Sequence, residues 1–162
     1  MNKTAAFWIE HLNLQPHPEG GFYKEVFRSQ NKVKRTGSSA PLSACTSIYF
    51  LLQGADFSGF HRIKSDELWY FHKGSALTIH VIDNTGEHTA LELSDTPTGS
   101  LYLAVPGGLW FASEIASGEG FTLVSCAVAP GFEFKEFEMA DKTQLIHSYP
   151  QHLALLNRLC RS

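Results

Sequence analysis

From Thr46 to Met139 the chain is a succession of short apolar runs, each too brief for a typical helix and mostly closed by glycine, proline, asparagine or aspartate. TSIYFLL (46–52), ELWYFHK (67–73), SALTIHVI (75–82), HTALEL (88–93), LYLAV (101–105), PGGLWFAS (106–113), GFTLVSCAVA (120–129) and FEFKEFEM (132–139) are rich in β-branched and aromatic residues. FYKEVFR (22–28) precedes them and alternates, with Phe22, Lys24, Val26 and Arg28 on one face and Tyr23, Glu25 and Phe27 on the other. Many short strands at near-regular spacing predict an all-β sandwich or small barrel. Helices are confined to the ends. Thr4 is placed to cap one over 5–12, Asp141 to cap another over 142–147, and Pro150 suits the first turn of a third over 150–159. No repeat or linker divides the 162 residues, so a single domain over 1–162 is expected.

Charge excludes several classes of partner. A net charge of -3 gives no reason to approach nucleic acid or anionic lipid, and the basic stretch NKVKRTG (31–37) reads as a solvated loop. No apolar run reaches the length of a membrane span, and the opening MNKTAAFWIEHLNL lacks the greasy core of a signal peptide. Cys45, Cys126 and Cys160 are odd in number and widely spaced, which predicts free thiols in a reducing compartment, most simply the cytoplasm.

The chemistry concentrates in GFHRIKSDELWYFHKG (59–74). His61 and Glu67 there are two metal ligands, an acid–base pair, or packed polar residues. A carboxylate close to an imidazole orients it and raises its pKa, and that favours the acid–base reading. Counting by twos from Glu67 puts Trp69 and Phe71 inside, and Leu68, Tyr70 and His72 outside. His72 and His80 read as structural, and His17 and Glu19 as stabilisers of the HPEGG turn (17–21), with a pocket-lid role the lesser alternative. His147 and His152 read as solvent-facing.

His61, Ile63, Glu67 and Gly74 follow the spacing of the first motif of the cupin superfamily, HxHxxxExxxxxxG. Pro106, Gly108 and Phe111 follow its second, PxGxxH. With HPEGGFYKEVFRS, SIYFLL, VPGGLWFAS and APGFEFKEF, the chain resembles one cupin-like family, the domain of unknown function 985, over roughly residues 6–160. The resemblance implies a double-stranded β-helix, or jelly-roll barrel. It also implies a homodimer paired through an edge strand, here FYKEVFR, with Leu68, Tyr70 and Trp110 adding apolar surface. Ile63 and Phe111 stand where the family's second and third histidines would be, so no metal is expected. The segment GFH (59–61) is similar to the GLH of dTDP-sugar 3,5-epimerases, where the histidine is the base. The tyrosine acid of those enzymes has no counterpart in EGFTLVSCAVAP (119–130).

The resulting expectation is a small-molecule-binding barrel with an aromatic-lined pocket, without a cofactor, acting on a sugar or nucleotide derivative in the manner of an isomerase or epimerase. His61 is its base and Glu67 the partner that orients it, with Tyr23, Lys24, Tyr49, Trp69 and Phe111 around the ligand. Two alternatives stand beside it. One is a divalent-metal protein in which His17 or His72 joins His61 and Glu67; the other is a non-catalytic dimeric scaffold.

Overall fold

The computed structural model describes residues 3–161. Helix α1 (Ala5–Leu12) is followed by strands β1 (Gln15–Pro16), β2 (Phe22–Arg28), β3 (Lys32–Lys34), β4 (Pro41–Ser43), β5 (Thr46–Gln53), β6 (Phe57–Ile63) and β7 (Asp66–Gly74). Strands β8 (Leu77–Ile82), β9 (His88–Leu93), β10 (Tyr102–Val105), β11 (Trp110–Glu114), β12 (Phe121–Ala129) and β13 (Phe137–Met139) follow, and helices α2 (Lys142–Ser148) and α3 (Leu153–Leu159) close the chain. One sheet runs β1-β2-β5-β12-β7-β10 and faces a second, β13-β6-β11-β8-β9. Every pairing between these strands is antiparallel. This is the jelly-roll arrangement of a cupin, all-β with short helices at its ends.

Helices α1 and α2 start where capping chemistry dictates, whereas Pro150 opens a 3-10 turn, Pro150–His152, and α3 begins only at Leu153 without a side-chain cap. Thr4 Oγ1 accepts from the Phe7 N–H, and Asp141 Oδ1 accepts from the Gln144 N–H. No described helix is long and apolar enough to cross a membrane.

The core between the sheets includes Phe50, Trp69, Ile79, Phe111 and Val124. Parity along β7 follows the alternation: Trp69 and Phe71 are buried, and Tyr70 and His72 are exposed. Two further clusters lie on the outer faces. Leu51 and Leu123 pack under Trp8, Ile9 and Leu12 of α1, and Phe60, Ile82 and Ala112 pack under Leu145, Leu156 and Leu159 of α2 and α3. Runs such as TSIYFLL are therefore apolar at successive positions because both faces of β5 are covered.

Three details depart from the strand reading. The basic stretch belongs to a hairpin, β3 with β4, and Arg35 donates to Ser65 Oγ at 3.0 Å and to Glu136 Oε2 at 2.9 Å. FEFKEFEM is broken by a single 3-10 turn, Phe134–Glu136, before β13 begins. Trp110 is covered by the C-terminal elements and stacks under Arg62 at 4.4 Å, so it is not a free outer surface.

Gly74 shows why the first motif ends in glycine. Its φ is +111°, and a Cβ there would sit 1.9 Å from the Phe121 carbonyl oxygen, a backbone atom with nowhere to go. Gly74→Ala is expected to cost more than ~2 kcal/mol. Urea unfolding checks this: the midpoint falls while the slope stays that of the native chain.

Candidate functional site

His61 lies on β6, flanked by β11 and β13, with Phe111 and Met139 as its cross-strand neighbours. The β6–β11 register slips by one residue between the Phe111–His61 and Ser113–Ser58 pairs. That bulge turns Ser58 to the same side as His61. Both reach a single carboxyl group, that of Glu19. Ser58 Oγ donates to Glu19 Oε1 at 2.9 Å, and His61 Nε2 lies 3.1 Å from Glu19 Oε2.

Glu19 comes from the turn between β1 and β2, which is held from several directions. The His17 N–H donates to the Gly21 carbonyl, the Gly59 N–H and Arg161 Nε both donate to the Glu19 carbonyl, and the Gly21 N–H donates to Asp56. Gly20, at φ +115°, leaves no room for a Cβ, which would meet Arg161 Nη2 and the Phe57 carbonyl at 2.0 Å. The chain can only make this turn with glycine at that point. It delivers the adjacent Glu19 side chain inward.

The tautomer of His61 follows from its neighbours. Nδ1 lies 2.7 Å from the Gly59 carbonyl, which only accepts, so Nδ1 carries a hydrogen. Nε2 then faces Glu19 Oε2 at 3.1 Å without a hydrogen in the neutral ring, and the two form an ion pair only when the imidazole is protonated. Burial lowers His61 to about 4, against the smaller upward effect of the Gly59 carbonyl, and burial raises Glu19 above the ordinary carboxyl range. His17 Nδ1 accepts from the Glu19 N–H at 3.2 Å and stands 3.6 Å from Glu19 Oε2. Burial holds its pKa down more strongly than the Glu19 carboxylate raises it.

Glu67 occupies a different place from the one expected of it. The carboxyl against His61 is that of Glu19, while Glu67 lies beside the Cys126 thiol, and only 8% of it is exposed. Burial first, and the charge of Glu19 second, push Glu67 up to about 8. The same burial, with Glu67 and Glu19 beside it, pushes the Cys126 thiol well above its usual range. At neutral pH these shifts favour a neutral carboxylic acid at Glu67 and a neutral imidazole at His61.

These groups line a cavity of about 140 Å³. Its walls are Tyr23, Ile63, Phe132, Phe134 and Phe137, and Glu25, Arg28 and Glu133 also line it. Of the residues expected around a ligand, Tyr23 is on the wall. Trp69 and Phe111 lie behind it in the core: Phe111 packs at 4.1 Å from the His61 ring, and Trp69 stands edge-on to Phe111 at 6.4 Å.

Lys24 and Tyr49 do not line the cavity; they sit opposite each other on the outer face of the β2–β5 pair. Neighbours in a strand point to opposite sides, so Tyr23 inside places Lys24 outside, and Ile48 and Phe50 inside place Tyr49 outside, next to α1. A bulge between Glu25 and Phe27 breaks the simple alternation of β2 and lets both Glu25 and Arg28 reach the cavity.

The other histidines divide by partner. His72 contacts Ser125, His80 lies between Glu114 and His88, and His147 is exposed. His152 is not solvent-facing, since its Nε2 donates to the Gly86 carbonyl at 2.8 Å. Glu19 and His17 are the site residues that spacing did not single out. Their one signal is HPEGG itself, a glycine pair forcing a sharp turn directly after two ionisable side chains.

The metal of other cupins does not fit this donor set. Ile63 lines the cavity and Phe111 covers the His61 ring, two apolar side chains at the motif's ligand positions. Among the described residues, no three His, Cys, Asp or Glu side chains are grouped to hold a metal ion.

Glu67 makes stability depend on pH. It ionises near 4.5 when unfolded and near 8 when folded, so between those values the unfolded chain binds fewer protons and stability falls as pH rises. His61 acts in the opposite sense, its contribution being lost as pH falls from 6.5 towards about 4. Glu67→Gln keeps the shape without the ionisation. Its melting temperature relative to the native chain is expected to climb between pH ~5 and ~8.5, by the equivalent of up to ~5 kcal/mol. Calorimetry at the two pH values checks this; a difference independent of pH counts against a buried, neutral Glu67.

Comparison with known proteins agrees with this architecture. A hypothetical protein from Leishmania major is 38% identical, over 98% of this chain and 99% of that one, with a TM-score of 0.90. The crystal structure of a Shewanella oneidensis protein is 39% identical over 99% of each chain, also at 0.90. An oxalate decarboxylase from Bacillus subtilis shares the fold alone, at 16% identity and a TM-score of 0.55, over 89% of this chain and 36% of that one. Among proteins of curated function, no match is found. Residues 6–140 match the profile described as Cupin superfamily (DUF985), and the chain belongs to that family.

Proposed function

We propose that the cavity binds a small polar molecule and moves a proton on it, as an isomerase or epimerase does. The carrying observation is the 3.1 Å approach of His61 Nε2 to Glu19 Oε2 in a buried cavity that also holds Glu67. The pair has room for one more proton. The Glu19 carboxylate, set against His61 Nε2, accepts a proton from a carbon next to a carbonyl. Glu67, still protonated, donates a hydrogen bond to the oxygen that gains charge. The pair's gain of one positive charge and the substrate's gain of one negative charge balance in a site that cannot hold either alone. Glu19 is the base in this scheme, and His61, expected as the base, is the partner that positions it.

A cavity of 140 Å³ is close in size to one that takes a single six-membered ring, so a sugar-sized ligand or smaller fits and a whole nucleotide does not. A thermal-shift screen of small carbonyl and hydroxylated metabolites identifies it, since ligand at ~100 times its Kd stabilises by about 2.7 kcal/mol. The bound compound is then incubated with protein in deuterated water. We expect one carbon-bound hydrogen to exchange with the native chain, and the exchange to fall at least ~100-fold with His61→Asn or Glu19→Gln. Binding without exchange would leave a carrier or sensor instead of an enzyme.

The same reading takes the protein as a cytoplasmic homodimer. Its three cysteines are unpaired, and β2 exposes Val26 and Phe27 along an edge that β1 covers at only two residues. Light scattering at micromolar concentration is expected to give twice the mass of the chain, and Phe27→Lys to return it to one.

A further inference from the structure

The charges and rings at the cavity mouth point to a class of ligand, and we propose that the cavity recognises an organic ammonium group. The inference rests on the cavity being a small-molecule site. Arg28 is the one arginine or lysine among the lining residues, and its guanidinium is already occupied. Nε and Nη2 donate to the two Glu25 oxygens, each at 2.9 Å, Nη1 donates to Glu133 at 2.9 Å, and Nη2 also reaches the Phe132 carbonyl at 3.1 Å. Two carboxylates face one guanidinium there, leaving the mouth with one net negative charge. A phosphate or carboxylate would have to displace those carboxylates and then sit beside them. An anionic ligand is opposed and a cationic one attracted.

The rings supply the second observation. Phe132, Phe134 and Phe137 stand edge to face at 5.0, 6.1 and 6.3 Å between centroids, and His17 lies 6.3 Å from Phe134 and 6.2 Å from Phe137. Tyr23 closes the group, 4.5 Å from His17. Phe134 is 53% exposed, although it lines a cavity rather than a packed core. Ring faces carry partial negative charge and hold quaternary ammonium groups, whose hydration shell is weak, and attract protonated amines by charge. Beneath the rings, Glu19 is a carboxyl group whose ionised form a positive charge beside it would favour. Walls of aromatic faces, an acidic mouth and an ionisable carboxyl below form a set that a neutral sugar does not need.

Calorimetric titration of the full chain with choline and with butylamine, each against its neutral isostere (3,3-dimethylbutan-1-ol and pentane), tests this. Choline or butylamine is expected to bind at least about tenfold more tightly than its isostere. Phe134→Leu, which keeps the exposed side chain apolar but removes the ring face, is expected to abolish that preference. Equal or tighter binding of the isostere, or a preference unchanged in Phe134→Leu, overturns the proposal. So does binding of neutral sugars or polyols but neither ammonium compound, and in that case the small-molecule reading of the cavity stands. If no compound of any class binds, both readings fall.

Discussion

The edge-to-face packing of Phe50, Trp69 and Phe111 is the contact on which the rest of the barrel depends. Trp69 stands between the other two, 5.9 Å from Phe50 and 6.4 Å from Phe111, and all three are fully buried. Phe50 and Trp69 come from one sheet and Phe111 from the other, so this column sets the separation of the sheets. The cavity lies on the His61 side of Phe111, where Ile63, Cys126 and Val128 also line it.

Desolvation governs the chemistry of that space. Two carboxyls and two imidazoles within one buried volume cannot all carry their usual charges. The fold answers by keeping Glu67 protonated, His17 and His61 neutral, and Glu19 held by the Ser58 hydroxyl beside His61. The result reverses the ordinary order of the two residue types: the carboxyl at Glu67 titrates near 8 and the imidazole at His61 near 4. Opposed shifts of this kind in one cavity are the usual mark of paired acid and base work.

The same positions that hold metal in other cupins have been turned into packing. Phe111 covers one side of the His61 ring and Ile63 lies on the cavity wall, so the only polar partner left for Nε2 is a carboxyl delivered from outside the two motifs. The departure from the family's ligand set and the recruitment of Glu19 are two sides of one structural fact. An imidazole without a metal still needs a partner for its buried nitrogen.

Much of the fold was legible in the chain itself. β-Branched and aromatic runs between glycines and prolines mark the strands, Thr4 and Asp141 mark helix starts, and the spacing of His61, Glu67 and Gly74 marks the family. Alternation also placed Trp69 inside and Tyr70 outside, because a strand's period is a local property of its backbone. It should have separated Tyr23 from Lys24 as well, and it did when the sheet formed. What only the tertiary structure decided is which groups meet. Glu19 and His61 are far apart in sequence, and their contact requires a turn pinned by Arg161, Asp56 and Gly59 and a bulge in β6. The second bulge, in β2, brings Arg28 to the cavity against the parity of its strand. Bulges and long-range carboxyl partners leave no periodic trace, since they arise from the fit between two sheets and not from the preferences of either strand.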